Sequence, residues 1–158
     1  MTQHPQNRDD DPLALERQVC FALAVASRTV ISVYRPVLEP MGLTHPQYLV
    51  MLALWGDEPL SVTELSRRLE LDAGTLSRLL KRLEAADLVT RARNPADERS
   101  LAVALTPRGR ELRTQALEVP ATILARLGMD LDELVALRDR LTGVSEAAKA
   151  ASKEPAHA

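Results

Sequence analysis

The sequence predicts a mainly α-helical fold with one small β-hairpin. Three observations predict it. Residues 13–39 have a long apolar helical periodicity, two short helical segments lie close together between residues 62 and 86, and the stretches "LVTRAR" and "SLAVAL" that follow alternate or run apolar like strands.

The length of 158 residues suits one domain with its own core. The net charge of −2 does not by itself indicate an anionic partner. Its distribution does, because residues 61–110 carry ten Lys and Arg against seven Asp and Glu, whereas the remainder carries ten against fifteen. An anionic partner is therefore expected to bind the middle of the chain.

One cysteine, Cys20, excludes an intrachain disulfide and a cysteine-rich zinc site, and it fits a reducing cytoplasmic compartment. The three histidines, His4, His45 and His157, have no metal-ligand spacing, so we expect neither a metal nor another cofactor. The polar, acidic start of the chain does not resemble a signal peptide. No apolar run is expected to reach the roughly 18 residues that span a membrane.

Residues 1–12 are rich in Asp, Gln and Asn, and we expect them to be disordered. Residues 13–39 read as one long helix that "EPMG" ends, with Cys20 in its middle. Its apolar residues form two adjacent stripes, so the helix is expected to be covered on more than one side. A second subunit is the natural cover. The stripes are Val19, Leu23, Ala26, Val30, Val33 and Val37, and Cys20, Ala24, Ser27, Ile31, Tyr34 and Leu38.

Capping residues predict the next helices. Thr44 precedes a helix over 45–55, Ser61 or Val62 opens one over 63–69, and Asp72 caps one over 73–86. "NPADE" is a turn between the two strands. Thr106 caps a helix that starts at Pro107 and is bent or broken at Pro120. Residues 121–127 and 130–142 continue the helical pattern, and 144–158 are expected to be a flexible tail.

Two short helices about three residues apart, the second of them basic, are typical of a helix-turn-helix that places its second helix in the DNA major groove. Leu76, Leu79, Leu80 and Leu83 supply a buried face, and Gly74 and Thr75 offer backbone N–H groups to a phosphate. The plainer interpretation is a solvated charged helix beside a hairpin. The order of the elements and the local positive charge favour double-stranded DNA. The predicted contacts are Thr75, Ser77, Arg78, Lys81 and Arg82 of the helix and Arg91, Arg93 and Arg99 of the hairpin.

This stretch resembles the winged helix of the MarR family of transcriptional regulators. "NPADERS" is similar to the family's wing signature, an Asp-x-Arg core matched by Asp97 and Arg99. The resemblance implies that this aspartate braces the wing and that a wing arginine reaches the minor groove. It also implies a homodimer that binds a pseudo-palindromic operator. It covers residues 13–143, with the winged helix at 44–106 and dimerisation helices at 13–39 and 107–143.

Within that family the chain most resembles the OhrR type of organic-hydroperoxide-sensing repressors. The residues that carry this are "QVCFALAVASRTVISVYRPVLEPMGLTHPQYLVMLALW", "LDAGTLSRLLKRLEAADLVTRAR" and "DERSLAVALT". The resemblance implies that Cys20 is the peroxide-reactive residue and that Tyr34 is its hydrogen-bond partner. In the motif "TYPQY" of that subfamily a second tyrosine helps, and His45 stands in its place here.

Helix geometry adds an independent argument. Fourteen residues separate Cys20 from Tyr34, roughly 21 Å of helix, so the two side chains can meet only across two antiparallel subunits. The implied mechanism oxidises Cys20 to a sulfenic acid. With no second cysteine, that acid goes on to a mixed disulfide with a low-molecular-weight thiol or to overoxidation, and the dimer releases its operator.

Three rival interpretations remain. The first is a MarR-type repressor released by a small aromatic or anionic ligand, with Cys20 structural. The second is a thiol peroxidase, although no resolving cysteine or acid–base cluster accompanies the thiol, so we predict that the chain is not an enzyme. The third is a protein-interaction module, because winged helices can bind proteins.

Overall fold

A computed structural model describes residues 11–95 and 97–153, without the side chains of Glu98 and Ser100. It confirms the mainly helical fold with a small β-sheet. Two single 3-10 turns, Leu15–Arg17 and Glu39–Met41, flank the first helix. Helices α1 to α7 span Val19–Leu38, His45–Gly56, Val62–Leu69, Ala73–Ala85, Pro107–Ala116, Val119–Leu127 and Leu131–Lys153. Strands β1 to β3 span Leu60–Ser61, Val89–Asn94 and Asp97–Leu105. The chain divides into two compact units after Gln115.

The predicted capping residues start the helices of the first unit. Ser61 Oγ accepts a hydrogen bond from the Glu64 backbone N–H at 3.0 Å. Thr106 Oγ1 accepts one from the Gly109 N–H at 2.9 Å. At the start of α2 the Gln47 side chain accepts the Thr44 N–H at 2.9 Å. Each bond satisfies a backbone donor or holds the chain where the helix begins.

The predicted hairpin is part of a three-stranded antiparallel sheet with the order β1-β3-β2. Strand β1, in which Leu60 pairs with Val103 of β3, was not predicted from the sequence. The predicted β2 has the right length but lies one residue too early, and the predicted β3 starts three residues too late. The β2–β3 ladder continues to the pair Asn94 and Asp97, past a register shift after Arg93. A strand of two residues carries no periodicity of its own, so only its pairing partner defines it.

The core of the first unit lies between α2, α3, α4 and the sheet. Met51, Leu54, Leu65 and Val103 are almost completely buried. The predicted buried face of the second short helix is confirmed, since its four leucines are all buried. They are Leu76, Leu79, Leu80 and Leu83.

The first long helix is shorter than predicted and largely uncovered. Within α1, all of which the structure describes, Leu38 is the one buried residue, while Val19 is 66% exposed. The segment Val19–Met41 has a mean hydropathy of 1.3 and is long enough to cross a membrane, so the expectation that no apolar run reaches that length was wrong. This finding rests only on the length and the apolar composition of the helix, and a core helix of a soluble protein can have the same length and composition.

Two predictions for the second unit need correction. The helix that begins at Pro107 ends at Ala116, before Pro120, and that proline lies in the first turn of α6, where a missing N–H costs nothing. The expected flexible tail is helical up to Lys153, because its alanines, glutamate and lysines favour a helix. Residues 154–158 and nearly all of the predicted disordered segment 1–12 lie outside the described residues.

Candidate DNA-binding surface and sensor site

Helices α3 and α4 form a helix-turn-helix. Glu70, in the left-handed region with φ of 53°, ends α3, and the Ser66 hydroxyl donates a hydrogen bond to the Leu71 carbonyl oxygen. Asp72 then starts α4. This tight turn places α4 with its leucines inward and its polar residues outward.

The predicted recognition residues lie on the outer side of α4. Ser77, Arg78, Lys81 and Arg82 are exposed, and Thr75 is half-buried. Three cations on one side of a 13-residue helix can reach phosphates, and the hydroxyl and guanidinium groups can bond to base edges.

The prediction that the N-terminus of α4 offers backbone N–H groups to a phosphate needs correction. The Asp72 carboxylate accepts the Thr75 N–H at 2.8 Å and the Thr75 hydroxyl at 2.7 Å. These hydrogen bonds from Thr75 lower the pKa of Asp72. The protein's own carboxylate thus occupies the place where an anion would bind. Thr75 Oγ1 in turn accepts a hydrogen bond from Arg78 at 3.4 Å.

The wing presents two of its three arginines. Arg93 and Arg99 are exposed, and the Asp97 carboxylate accepts the Arg99 backbone N–H at 3.0 Å. Arg91 instead donates to Glu84 of α4 at 2.5 Å, and this hydrogen bond lowers the pKa of Glu84. The sequence analysis did not predict this ion pair, which joins the wing to the recognition helix.

Cys20 is the second residue of α1 and is exposed in the single chain. It therefore lies at the start of that helix, not in its middle as predicted. Tyr34 lies near the other end of α1, so the two cannot touch within one subunit, as the helix geometry predicted.

Tyr34 belongs to a cluster of three rings. The ring centroid of His45 lies 4.9 Å away and that of Tyr48 lies 6.2 Å away. Burial raises the pKa of Tyr34 and of Tyr48 and lowers the pKa of His45. The phenols and the imidazole are consequently all neutral near pH 7. A cavity of about 450 Å³ opens beside the cluster and is lined in part by Ile31, Arg35 and His45.

The burial of His45 predicts a pH dependence of stability. The folded state favours the neutral imidazole, so the unfolded chain takes up a proton more readily as the pH falls below about 6.5. We expect the free energy of unfolding to fall more steeply between pH 7.5 and 5.5 for the wild type than for His45→Gln. Urea unfolding at fixed protein concentration, followed by circular dichroism, measures both slopes. Equal slopes would contradict the assignment.

Two further residues were missed because their partners lie far along the chain. The Trp55 indole N–H donates to the Gly109 carbonyl oxygen at 2.9 Å. The Glu58 carboxylate accepts the Leu105 N–H at 2.8 Å and the Arg110 guanidinium at 2.7 and 3.1 Å. The only signal in the sequence was "WGDEP" itself, a polar stretch after an apolar helix that by composition reads as a loop.

Comparisons with known proteins agree with this geometry. Residues 41–100 match the MarR family. The chain is 46% identical over 141 residues to the HTH-type transcriptional regulator TtmR of Methylorubrum extorquens strain PA1, covering 89% of this chain and 72% of that protein. It is 42% identical over 127 residues to the organic hydroperoxide resistance transcriptional regulator of Bacillus subtilis strain 168, covering 78% and 86%.

A solved structure shows the same fold bound to DNA. Reduced AbfR on DNA superposes with a TM-score of 0.71 and 31% sequence identity, over 84% of this chain and 93% of that one. AbfR is a protein of Staphylococcus epidermidis, and it has also been solved in an overoxidised form on DNA. The two curated relatives are transcriptional regulators, and AbfR has been solved on DNA in a reduced and in an overoxidised form.

Proposed function

This chain belongs to the MarR family of DNA-binding transcriptional regulators, and we propose that it is a homodimeric repressor that releases its operator when an organic hydroperoxide oxidises Cys20. One observation carries the proposal. Cys20 and Tyr34 lie at opposite ends of an apolar helix that the single chain leaves exposed. The likeness to an organic hydroperoxide resistance regulator supports the choice of reactant.

The proposed DNA contacts fall into two groups. Ser77, Arg78, Lys81 and Arg82 of α4 bind the major groove, where Arg and hydroxyl groups bond to base edges and Lys to phosphates. Arg93 and Arg99 lie along the wing and bind the minor groove or its phosphates. Thr75 and Asp97 position these groups through their hydrogen bonds. The prediction that Arg91 binds DNA stays untested, and its pair with Glu84 supports a bracing role.

The uncovered apolar surface of α1 supports the dimer. Val19, Phe21, Val25, Val30 and Ile31 are each at least 36% exposed in the single chain. At roughly 25 cal/mol per Å² of apolar surface removed from water, covering such a helix is strongly favourable. Two α1 helices that cross antiparallel bring Cys20 of one subunit to Tyr34 and His45 of the other.

The chemistry is a two-electron oxidation of sulfur. The Cys20 thiolate attacks the distal oxygen of the hydroperoxide, an S–O bond forms, and the O–O bond breaks. The alkoxide leaves with a proton as an alcohol, and the sulfur becomes a sulfenic acid. A low-molecular-weight thiol then condenses with it, which forms a mixed disulfide and releases water. Excess peroxide oxidises it further to the sulfinic acid.

Either product adds bulk or charge at a packed interface. The cysteine loses its hydrogen bond to Tyr34 of the partner subunit, and the ring cluster has to rearrange because close-packed side chains leave no room. The dimer interface is the element with two arrangements, and the mixed disulfide favours the one that does not bind DNA.

Fluorescence anisotropy tests the proposal. DNA from upstream of the protein's own gene is titrated at fixed salt with reduced protein, and again after an alkyl hydroperoxide and a small thiol are added. We expect the wild type to lose at least about tenfold in affinity and Cys20→Ser to keep its affinity. An equal response of both proteins would remove Cys20 as the sensor.

The cavity beside His45 favours a second candidate function, a repressor released by a small aromatic or anionic ligand. Its lining combines the apolar Ile31 and Leu43 with the cation Arg35 and the carboxylate Glu39, so an aromatic ring can lie on the apolar side chains and its carboxylate can pair with Arg35. Cys20 is then structural, and Cys20→Ser stays inducible by that ligand. The anisotropy experiment, repeated with aromatic carboxylates, separates the two functions.

A further inference from the structure

Helix α2 carries aromatic side chains from the sensor site to the far side of the first unit. Its first residues, His45 and Tyr48, lie against Tyr34 of α1. Two turns later Trp55 packs edge-on against Tyr48, with ring centroids 6.4 Å apart. We call Tyr34, Tyr48 and Trp55 the aromatic row. Tyr48 is only 4% exposed, so a movement of Tyr34 toward it presses on a closely packed ring.

The far end of the row is bound to the start of α5. The Trp55 indole N–H donates to the Gly109 carbonyl at 2.9 Å. Gly109 lies close against the chain just before the wing, because a Cβ there would lie 2.1 Å from the Leu88 carbonyl oxygen. Leu88 directly precedes β2 of the wing and accepts the Thr106 N–H at 3.1 Å. A displacement of Trp55 therefore acts on the first turn of α5 and on the base of the wing together.

Glu58, two residues after α2, forms a second connection from the end of that helix to α5 and the wing. Burial raises its pKa, but the bonds to Arg110 and to the Leu105 N–H outweigh burial and keep the carboxyl ionised. Leu105 is the last residue of wing strand β3, and Arg110 lies in α5. The end of α2 thus holds both elements through charged hydrogen bonds, which are the stronger kind.

We propose that Trp55 is the positioning residue through which the sensor site controls the placement of the wing. The inference rests on the proposed function, because Tyr34 has to respond to the oxidation of Cys20. Oxidation can shift the protein only through contacts that differ between its two states. The Trp55 ring packs against Tyr48, and its indole N–H donates to the Gly109 carbonyl oxygen. Trp55 therefore connects the ring cluster at the sensor site to the first turn of α5 and the base of the wing.

The variant Trp55→Phe keeps a ring in the row and removes the donor. The readout is the release factor, the Kd for DNA of the oxidised protein divided by that of the reduced protein. We expect the reduced variant to bind within about threefold of the wild type. Its release factor should fall by about fivefold, the fold-change that one neutral hydrogen bond supplies. A role in stability alone would change both Kd values equally.

Glu64→Gln is the matched control. Glu64 pairs with Arg67 and Arg68 on α3, and these ion pairs involve neither the aromatic row nor α5, so the release factor should not change. The proposal is overturned if the release factor of Trp55→Phe equals that of the wild type. It is also overturned if the release factor of Glu64→Gln falls as much as that of Trp55→Phe.

The fluorescence of Trp55 gives a second test that needs no variant at this position. Trp55 is the single tryptophan of the sequence, so intrinsic emission reports on this contact alone. Without DNA, a hydroperoxide and a small thiol should shift the emission of the wild type and leave Cys20→Ser unchanged. If the wild type releases DNA while the emission stays constant, the inference fails and the proposed function stands. If the wild type does not release DNA, both fail.

Discussion

A carboxylate in α1, introduced as Val25→Asp, should make the protein monomeric and weaken operator binding by at least about 100-fold. Val25 is 36% exposed in the single chain, so an aspartate there costs the folded subunit little. In the proposed dimer the charge is buried without a partner, at a cost of several kcal/mol. A monomer engages one half of a two-fold operator and loses the affinity of the other half. Sedimentation and fluorescence anisotropy on the same samples measure both effects.

Two control variants separate charge from shape. Val25→Ala removes apolar surface without adding charge, and it should stay dimeric with a modestly higher dissociation constant. Leu13→Asp adds the same charge to an exposed leucine that precedes α1, and it should bind the operator like the wild type. A Val25→Asp protein that sediments as a dimer contradicts the proposed role of α1.

Mixed dimers of Cys20→Ser and Tyr34→Phe subunits should respond to an organic hydroperoxide, whereas the Cys20→Ser homodimer should not respond and the Tyr34→Phe homodimer should respond only weakly. If each site combines Cys20 of one subunit with Tyr34 of the other, the mixed dimer keeps one complete site. Loss of the phenol hydrogen bond to sulfur is worth roughly 1–3 kcal/mol, so the homodimer of Tyr34→Phe should respond about 5–150-fold more weakly. Two affinity tags isolate the mixed dimer, and anisotropy follows its release from DNA.

A reciprocal pairing gives the opposite pattern. A wild-type subunit paired with a Cys20→Ser/Tyr34→Phe double variant has no complete site across the interface, so this dimer should not respond. A site contained within one subunit predicts the reverse, with the second pairing responsive and the first one silent. Since both mixed dimers contain the same four residues, differences in folding or expression cannot imitate the result.

The starts of the helices with local capping signals were predicted to within about one residue. Ser61, Asp72 and Thr106 cap helices through side-chain bonds to backbone three residues away, and such a short-range interaction is readable in a sequence. The same holds for the leucine face of α4, which depends only on helical spacing. The prediction of a flexible tail from residue 144 failed because this segment is polar in composition yet consists of residues that favour a helix.

The contacts between distant segments could not be read in this way. The pair of Leu60 with Val103 and the bond from Trp55 to Gly109 join residues more than forty positions apart. No periodicity marks such pairs, since they exist only once the core has brought both segments together. For the candidate site, resemblance supplied Cys20, Tyr34 and His45, whereas the three-dimensional packing was needed to add Tyr48 and Trp55 as one row of rings.

The ion pair between Glu84 of α4 and Arg91 of β2 has a consequence for how DNA is released. Because it fastens the recognition helix to the wing, we expect the pair to move as one rigid body that keeps its shape when the sensor is oxidised. The grooves of DNA repeat about every 34–36 Å along its axis. A displacement of a few Å between the two halves of the proposed dimer would put one half out of phase with that repeat, so that it meets backbone where the other meets a groove. Release then requires no unfolding of either half.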